Sequence, residues 1–124
     1  KLQRLLASGR TAGSGKLVIL PVDQGFEHGA GSAFGPNPAG YDPLYHFRLA
    51  LAGQASAYAA PLGALECGAA EFAPQLPLIL KLNNSDPLVK DEDPCPALTA
   101  SVDDAVRLGL CRLRLHDLPR LGKD

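Results

Sequence analysis

Leu17-Val18-Ile19-Leu20-Pro21-Val22-Asp23-Gln24-Gly25-Phe26-Glu27-His28-Gly29 is the stretch that decides the fold. An apolar run rich in Val, Ile and Leu ends abruptly on a carboxylate. Such a run reads as a strand buried on both faces, as in parallel sheets. Asp23 then stands at the strand's C-terminal end, where α/β folds place their chemistry. Taken alone, an Asp after a strand commonly just starts a loop. Here a glycine-punctuated turn follows at once and carries Glu27 and His28, two further groups able to bind or move protons.

Outward from this stretch, strand and helix signals alternate. Residues 1–8 suggest a short helix with Leu2, Leu5 and Leu6 on one face and Gly9 as its stop. Gly13-Ser14-Gly15-Lys16 resembles part of a phosphate loop but fails on three counts. Arg10 stands where the motif's first glycine belongs, Leu17 stands in place of the magnesium-binding Ser or Thr, and the segment precedes a strand. It reads as a flexible turn. Gly29 to Gly40 reads as a Gly/Pro/Asn-rich loop, after which Asp42-Pro43 supplies an N-cap and a first helical residue. Leu44, Phe47, Leu51 and Tyr45 form the expected apolar face of that helix, and Gly53 its end.

Ala57 to Leu62 is the expected second strand, residues 64–73 a helix weakened by Gly68, and Pro77 to Asn83 the third strand. Lys81 lies inside that strand among apolar neighbours. Asn84 to Leu98 reads as a long polar loop with the acidic run Asp91-Glu92-Asp93, and Ser101 to Asp104 approximates a capping box. The expected order is β-α-β-α-β-α, the pattern of parallel strands with crossover helices. A barrel and a doubly wound sheet begin in the same way, and this pattern does not choose between them.

Several segments, in order, resemble one family. LPVDQGFEHG (20–29), PNPAGYDP (36–43), YAAPLG (58–63), LKLNNS (80–85) and KDEDP (90–94) are similar to archaeal-type class I fructose-bisphosphate aldolases in their bacterial form. The resemblance covers residues 17–109. It implies an α/β fold consisting of the first three βα units of a (β/α)8 TIM barrel. It also implies a Schiff-base lyase cleaving fructose 1,6-bisphosphate to glycerone phosphate and glyceraldehyde 3-phosphate. A whole barrel takes about 250 residues, and this chain has 124. It is therefore expected to be a fragment. It has no Met, so truncated or processed ends are expected too.

In that family the imine lysine stands on strand six and an acid/base tyrosine on strand four, while an aspartate ending strand one orients substrate and intermediate. Asp23 matches the aspartate and is the expected catalytic residue. Glu27, His28, Lys81 and Asn83 are candidate substrate-binding residues, with Asn84 beside them. Lys81 has two readings: a nucleophile of lowered pKa, or an inward cation paired with Asp23 or another carboxylate. The matching family position is not the imine lysine. No cofactor is implied, since the imine serves as the electron sink, and His28, His46 and His116 lack metal-ligand spacing.

The tail from Leu110 departs from the pattern. A fourth buried strand is due there, yet Arg112 and Arg114 interrupt the run. Synonymous codons shifted by one base can read Cys-Ala-Ala-Ser-Gly-Phe-Thr-Ile-Tyr-Pro-Gly-Ser, close to the family's fourth strand. Residues 110–124 are therefore read as an off-frame tail, with a genuine amphipathic tail as the alternative, residues 17–109 as the partial barrel and residues 1–16 as a helix and turn. The isolated chain, without imine lysine or tyrosine, is expected to be inactive. The alternatives are a related Schiff-base aldolase with another phosphorylated substrate, and a non-catalytic remnant or interaction fragment.

Charge excludes other classes. Twelve basic and 13 acidic residues give a net charge of -1 with no basic stripe, so nucleic-acid and membrane-surface binding lack electrostatic support. No apolar run is long enough to span a membrane. Cys67, Cys95 and Cys111 are odd in number and lack metal-ligand spacing, which suggests reduced thiols in the cytoplasm. The full-length parent is expected to be a homo-oligomer acting on a phosphorylated sugar.

Overall fold

The computed structural model of the chain describes residues 2–85 and 96–112. The acidic run Asp91-Glu92-Asp93, Cys95 and the tail from Leu113 lie outside the described residues. In order, the elements are α1 (Leu2–Leu6), β1 (Ile19–Pro21), α2 (Ala30–Phe34), a 3-10 turn (Pro38–Tyr41), α3 (Pro43–Ala52) and β2 (Ala57–Ala60). Then come α4 (Leu62–Glu66), α5 (Ala69–Phe72), β3 (Leu78–Leu80), β4 (Asn83–Asn84), β5 (Ala97–Leu98), α6 (Val102–Arg107) and β6 (Cys111–Arg112). One sheet runs β1-β2-β3-β6 with every pair parallel, and β4 and β5 form a small antiparallel ribbon.

The register sets Leu20 opposite Tyr58 and Tyr58 opposite Leu78. Strand side chains alternate between faces, and two apolar clusters follow. Tyr58, Ala60, Leu78 and Leu80 pack against Phe47, Leu65 and Phe72 of the helices, with Leu20 and Val22 at the border. Ala57, Ala59 and Ile79 occupy the other face, where Leu5 of α1 covers them. In a barrel, that second face would be the inward one. The described strands do not close one.

Local signals explain the helices. The Asp42 side chain accepts from the Leu44 amide at 2.9 Å, Pro43 opens α3 and Gly53 caps it. Ser101 and Asp104 complete a reciprocal capping box on α6. At the sheet entry, the Ser56 amide donates to the Val18 carbonyl at 2.7 Å, and its buried hydroxyl accepts from the Val18 amide at 3.1 Å. This pins the approach to β1 before the strand begins.

The structure corrects four expectations. Leu17, Val18 and Ile19 are 37%, 51% and 36% exposed rather than buried on both faces, because β1 is an edge strand paired only with β2. The single helix expected over residues 64–73 is two, α4 and α5. Gly68 breaks it, because the Phe47 ring presses against that backbone. The loop after Gly29 contains α2 and the 3-10 turn, both missed because short, glycine-rich segments carry no periodicity. The third strand ends at Leu80, after which Asn83 and Asn84 leave the sheet to pair with Leu98 and Ala97. Beyond these, the sheet adds a parallel strand after α6, with Cys111 opposite Ile79 and Arg112 opposite Leu80. Strand pairing is a main-chain interaction, and buried Leu110 anchors the entry to it, so arginine in the run does not prevent it there.

Two glycines separate packing from propensity. A Cβ on Gly68 would lie 2.7 Å from the Phe47 ring, whereas one on Gly63, in α4, would meet nothing within 4 Å. Gly68→Ala should destabilise the chain by about 1–3 kcal/mol through overpacking. Gly63→Ala should be neutral or stabilise by up to about 1 kcal/mol. Urea unfolding of the two variants checks the contrast, and equal effects would refute the packing account.

Candidate active site

The inward face carries the site. Along β1 and its extension, Ile19, Pro21 and Asp23 alternate to one side while Leu20 and Val22 pack with the helices. Along β3, Ile79 and then Lys81 share that inward side. Between them β2 offers only Ala57 and Ala59, so long side chains from the outer two strands can meet across it. The Val22 amide donates to the Ala59 carbonyl at 2.9 Å and the Lys81 amide to the Ala60 carbonyl at 3.0 Å, fixing both strand ends level.

Beyond β1 the chain turns sharply. The amides of Phe26 and Glu27 both donate to the Asp23 carbonyl at 3.1 Å. Gly25 has a φ of 93°, a conformation side chains rarely adopt, and its amide donates to the His28 carbonyl at 2.6 Å. This turn brings Glu27 and His28 back over Asp23.

The result is a compact cluster. Lys81 Nζ lies 2.8 Å from Asp23 Oδ2 and 2.6 Å from Glu27 Oε2. Asp23 Oδ1 lies 3.7 Å from His28 Nε2. Glu27 also accepts from the Ser85 amide at 2.6 Å, tying the loop after β1 to the chain after β3. Lys81, Asp23 and Glu27 are partly buried, while His28 is exposed. Of the five candidate site residues, four therefore meet. Asn83 instead sits in the β4–β5 ribbon opposite Leu98. Its neighbour Asn84 is buried and donates to the Thr99 hydroxyl.

Charges in the cluster are mutually stabilising. Partial burial works to raise the Asp23 carboxyl. The hydrogen bonds of Lys81 and Glu27 and the charges of Lys81 and His28 outweigh it and hold Asp23 below its ordinary value. Burial likewise works to lower Lys81, but its hydrogen bonds and attraction to Asp23 and Glu27 prevail and raise it. Lys81 Nζ thus sits between two carboxylates, the geometry of the paired-cation reading. Asp23, Glu27 and His28 could each offer one ligand atom to a cation, all within 4.8 Å of one another, a grouping the histidine spacing did not reveal. The Lys81 ammonium already contacts both carboxylates of that group.

A parallel α/β sheet with a polar cluster at the C-terminal strand ends is the arrangement in which α/β proteins, barrel or doubly wound, place their chemistry. Known proteins agree. The profile of the DeoC/LacD family of aldolases matches residues 17–116, and the chain belongs to that family. It is 40% identical over 108 residues to a probable class 1 fructose-bisphosphate aldolase of Chlamydia trachomatis, a match covering 87% of this chain and 31% of that protein. It is 38% identical over 95 residues to the class 1 enzyme of Thermoproteus tenax, covering 77% of this chain and 34% of that protein. A solved Schiff-base-forming fructose-1,6-bisphosphate aldolase superposes with a TM-score of 0.71 at 33% identity, covering 89% of this chain and 42% of that one. The chain thus spans about a third of the length of these curated relatives. Among the described residues, no helix is long and apolar enough to cross a membrane.

The ion pair has a pH signature. Asp23, lowered in the folded state, contributes stability above the ordinary carboxylate value, and this is lost as pH falls through its lowered value. Lys81, raised in the folded state, contributes below the ordinary lysine value, and this is lost as pH rises through its raised value. Lys81→Met should abolish the alkaline loss and lower the thermal midpoint most near neutral pH, where it strands two adjacent carboxylates. Thermal melts across pH check this, and parallel profiles for the two proteins would contradict it.

Proposed function

We propose that the chain is the amino-terminal portion of a class I, Schiff-base fructose-bisphosphate aldolase of the cytoplasm, homo-oligomeric at full length. The Asp23–Lys81 pair at the strand ends carries this reading, together with membership of an aldolase family. In the reaction, a lysine amine beyond this chain condenses with the substrate ketone and water leaves. A base takes the C4 hydroxyl proton, the C3–C4 bond breaks, and its electron pair moves into the iminium to give an enamine. Glyceraldehyde 3-phosphate departs; protonation and hydrolysis of the enamine return glycerone phosphate.

Asp23 acts here by orienting substrate hydroxyls and stabilising the cationic iminium, for which it must be ionised. Lys81 keeps it so and adds a positive charge for substrate oxygens. Glu27 holds Lys81 in place, and His28 at the exposed rim is available to substrate. Because Lys81 is held protonated, it is a poor amine nucleophile, and the isolated chain is inactive.

Two experiments test this. Incubating the chain with fructose 1,6-bisphosphate and borohydride should yield no covalent adduct by mass. An adduct on Lys81 would overturn its assignment as a cation. In a protein containing the whole barrel, Asp23→Asn should lower the turnover number by about 10²-fold or more. Unchanged turnover would reduce Asp23 to a structural cap. Unaltered cleavage of a different sugar phosphate, with fructose 1,6-bisphosphate refused, would favour the related aldolase instead.

A further inference from the structure

The β4–β5 ribbon follows β3 almost at once, so its geometry sets where the chain runs beyond the site. Its register is two residue pairs, Asn83 with Leu98 and Asn84 with Ala97. A two-stranded ribbon is marginal on its own. Further ties hold this one. The Thr99 amide donates to the Leu82 carbonyl at 2.9 Å, and the Asn84 side-chain amide donates to the Thr99 hydroxyl.

Asn84 is 2% exposed, and its side-chain oxygen has no hydrogen-bond partner among the described residues. Burying an amide costs free energy unless its polar atoms are paired. Stability alone would favour an apolar side chain of the same size. The next peptide group shows what the amide contributes instead. The Ser85 amide donates to Glu27 Oε1 at 2.6 Å, and Glu27 Oε2 lies 2.6 Å from Lys81 Nζ. Lys81 Nζ in turn lies 2.8 Å from Asp23 Oδ2. The turn that carries Glu27 is otherwise bonded to itself: the amides of Gly25, Phe26 and Glu27 all donate within residues 23–28. Its Glu27 side chain reaches out of the turn to Ser85 and Lys81. A continuous chain of contacts thus runs from Thr99 through Asn84, Ser85, Glu27 and Lys81 to Asp23, with one peptide bond between Asn84 and Ser85.

We propose that Asn84 is a positioning residue for the cation of the site. By fastening the ribbon to Thr99 it aims the Ser85 amide at Glu27, and Glu27 so held fixes the Lys81 ammonium beside Asp23. Asn84 acts through these neighbours and, being buried, does not touch substrate. What this means for catalysis rests on the aldolase reading. The placement of Lys81 does not, and the experiment reads that placement alone, so the two can fail separately.

The test follows exchange of the Lys81 ammonium protons with water by ¹⁵N NMR at neutral pH, in the chain itself. Asn84→Leu keeps the bulk and removes the amide. It should speed exchange about tenfold, the scale of one lost hydrogen bond to a charged group. Thr99→Val, which removes only the acceptor hydroxyl of an exposed residue, should do the same. Thr99→Ser, which keeps the hydroxyl, should match the parent chain. Glu27→Ala should speed exchange at least as much, and adding Asn84→Leu to it should change nothing further, because the link between them is gone. Unchanged exchange in Asn84→Leu or in Thr99→Val would overturn the proposal. So would Thr99→Ser behaving like Thr99→Val. A further acceleration in the double variant would also overturn it, since Asn84 would then act on Lys81 by a general loosening of the fold and not through Glu27.

Discussion

A single ammonium group holds the site together. Lys81 Nζ sits within 2.8 Å of Asp23 and 2.6 Å of Glu27, so one cation ties the ends of β1 and β3 across the strand between them. Neighbouring strands lie about 4.8 Å apart, so the bridge spans roughly twice that. It requires a long side chain on β3, an outward reach from β1, and nothing bulky on β2. The alanines of β2 meet the last condition. Removing the cation would leave two carboxylates facing each other, which is why geometry and ionisation cannot be separated here.

The sheet divides its work between its faces. The helix-facing side carries the larger core, with the Phe47 ring stacked on Phe72 at 4.9 Å and edge-on to Tyr58 at 4.8 Å. This core fixes strand register through α3, α4 and α5. The inward side is sparsely filled by Leu5, Ala57, Ala59 and Ile79, and its upper end is given over to charge. Strand alternation thus converts a one-residue step, Val22 to Asp23 or Leu80 to Lys81, into the difference between core and chemistry. β1 is an edge strand, and Val18 beside it is half-exposed.

Much of this was legible because it is local. The carboxylate ending an apolar run, the lysine inside another, the Asp42-Pro43 helix start and the Ser101–Asp104 capping box each need only a few residues of context. The inward pairing of Lys81 with Asp23 follows from parallel strands read two apart. What remained hidden depends on distant contacts. The break at Gly68 comes from the Phe47 ring, more than one element away. The ribbon of Asn83–Asn84 with Ala97–Leu98 joins segments that are not neighbours in the sequence. Glu27's link to the Ser85 amide exists only once β1 and β3 are placed, and no spacing in the chain announces it. The fourth strand was obscured by Arg112, because side-chain character says little about main-chain pairing at a sheet edge.

The central claim is that Asp23 is an ionised carboxylate held by the Lys81 ammonium. A carboxyl ¹³C titration of Asp23, in the chain and in Lys81→Met, addresses it most directly. The account predicts an inflection below the ordinary aspartate value in the parent chain and a clear upward displacement when the ammonium is removed. An ordinary or raised value in the parent chain, unmoved by the substitution, would contradict it.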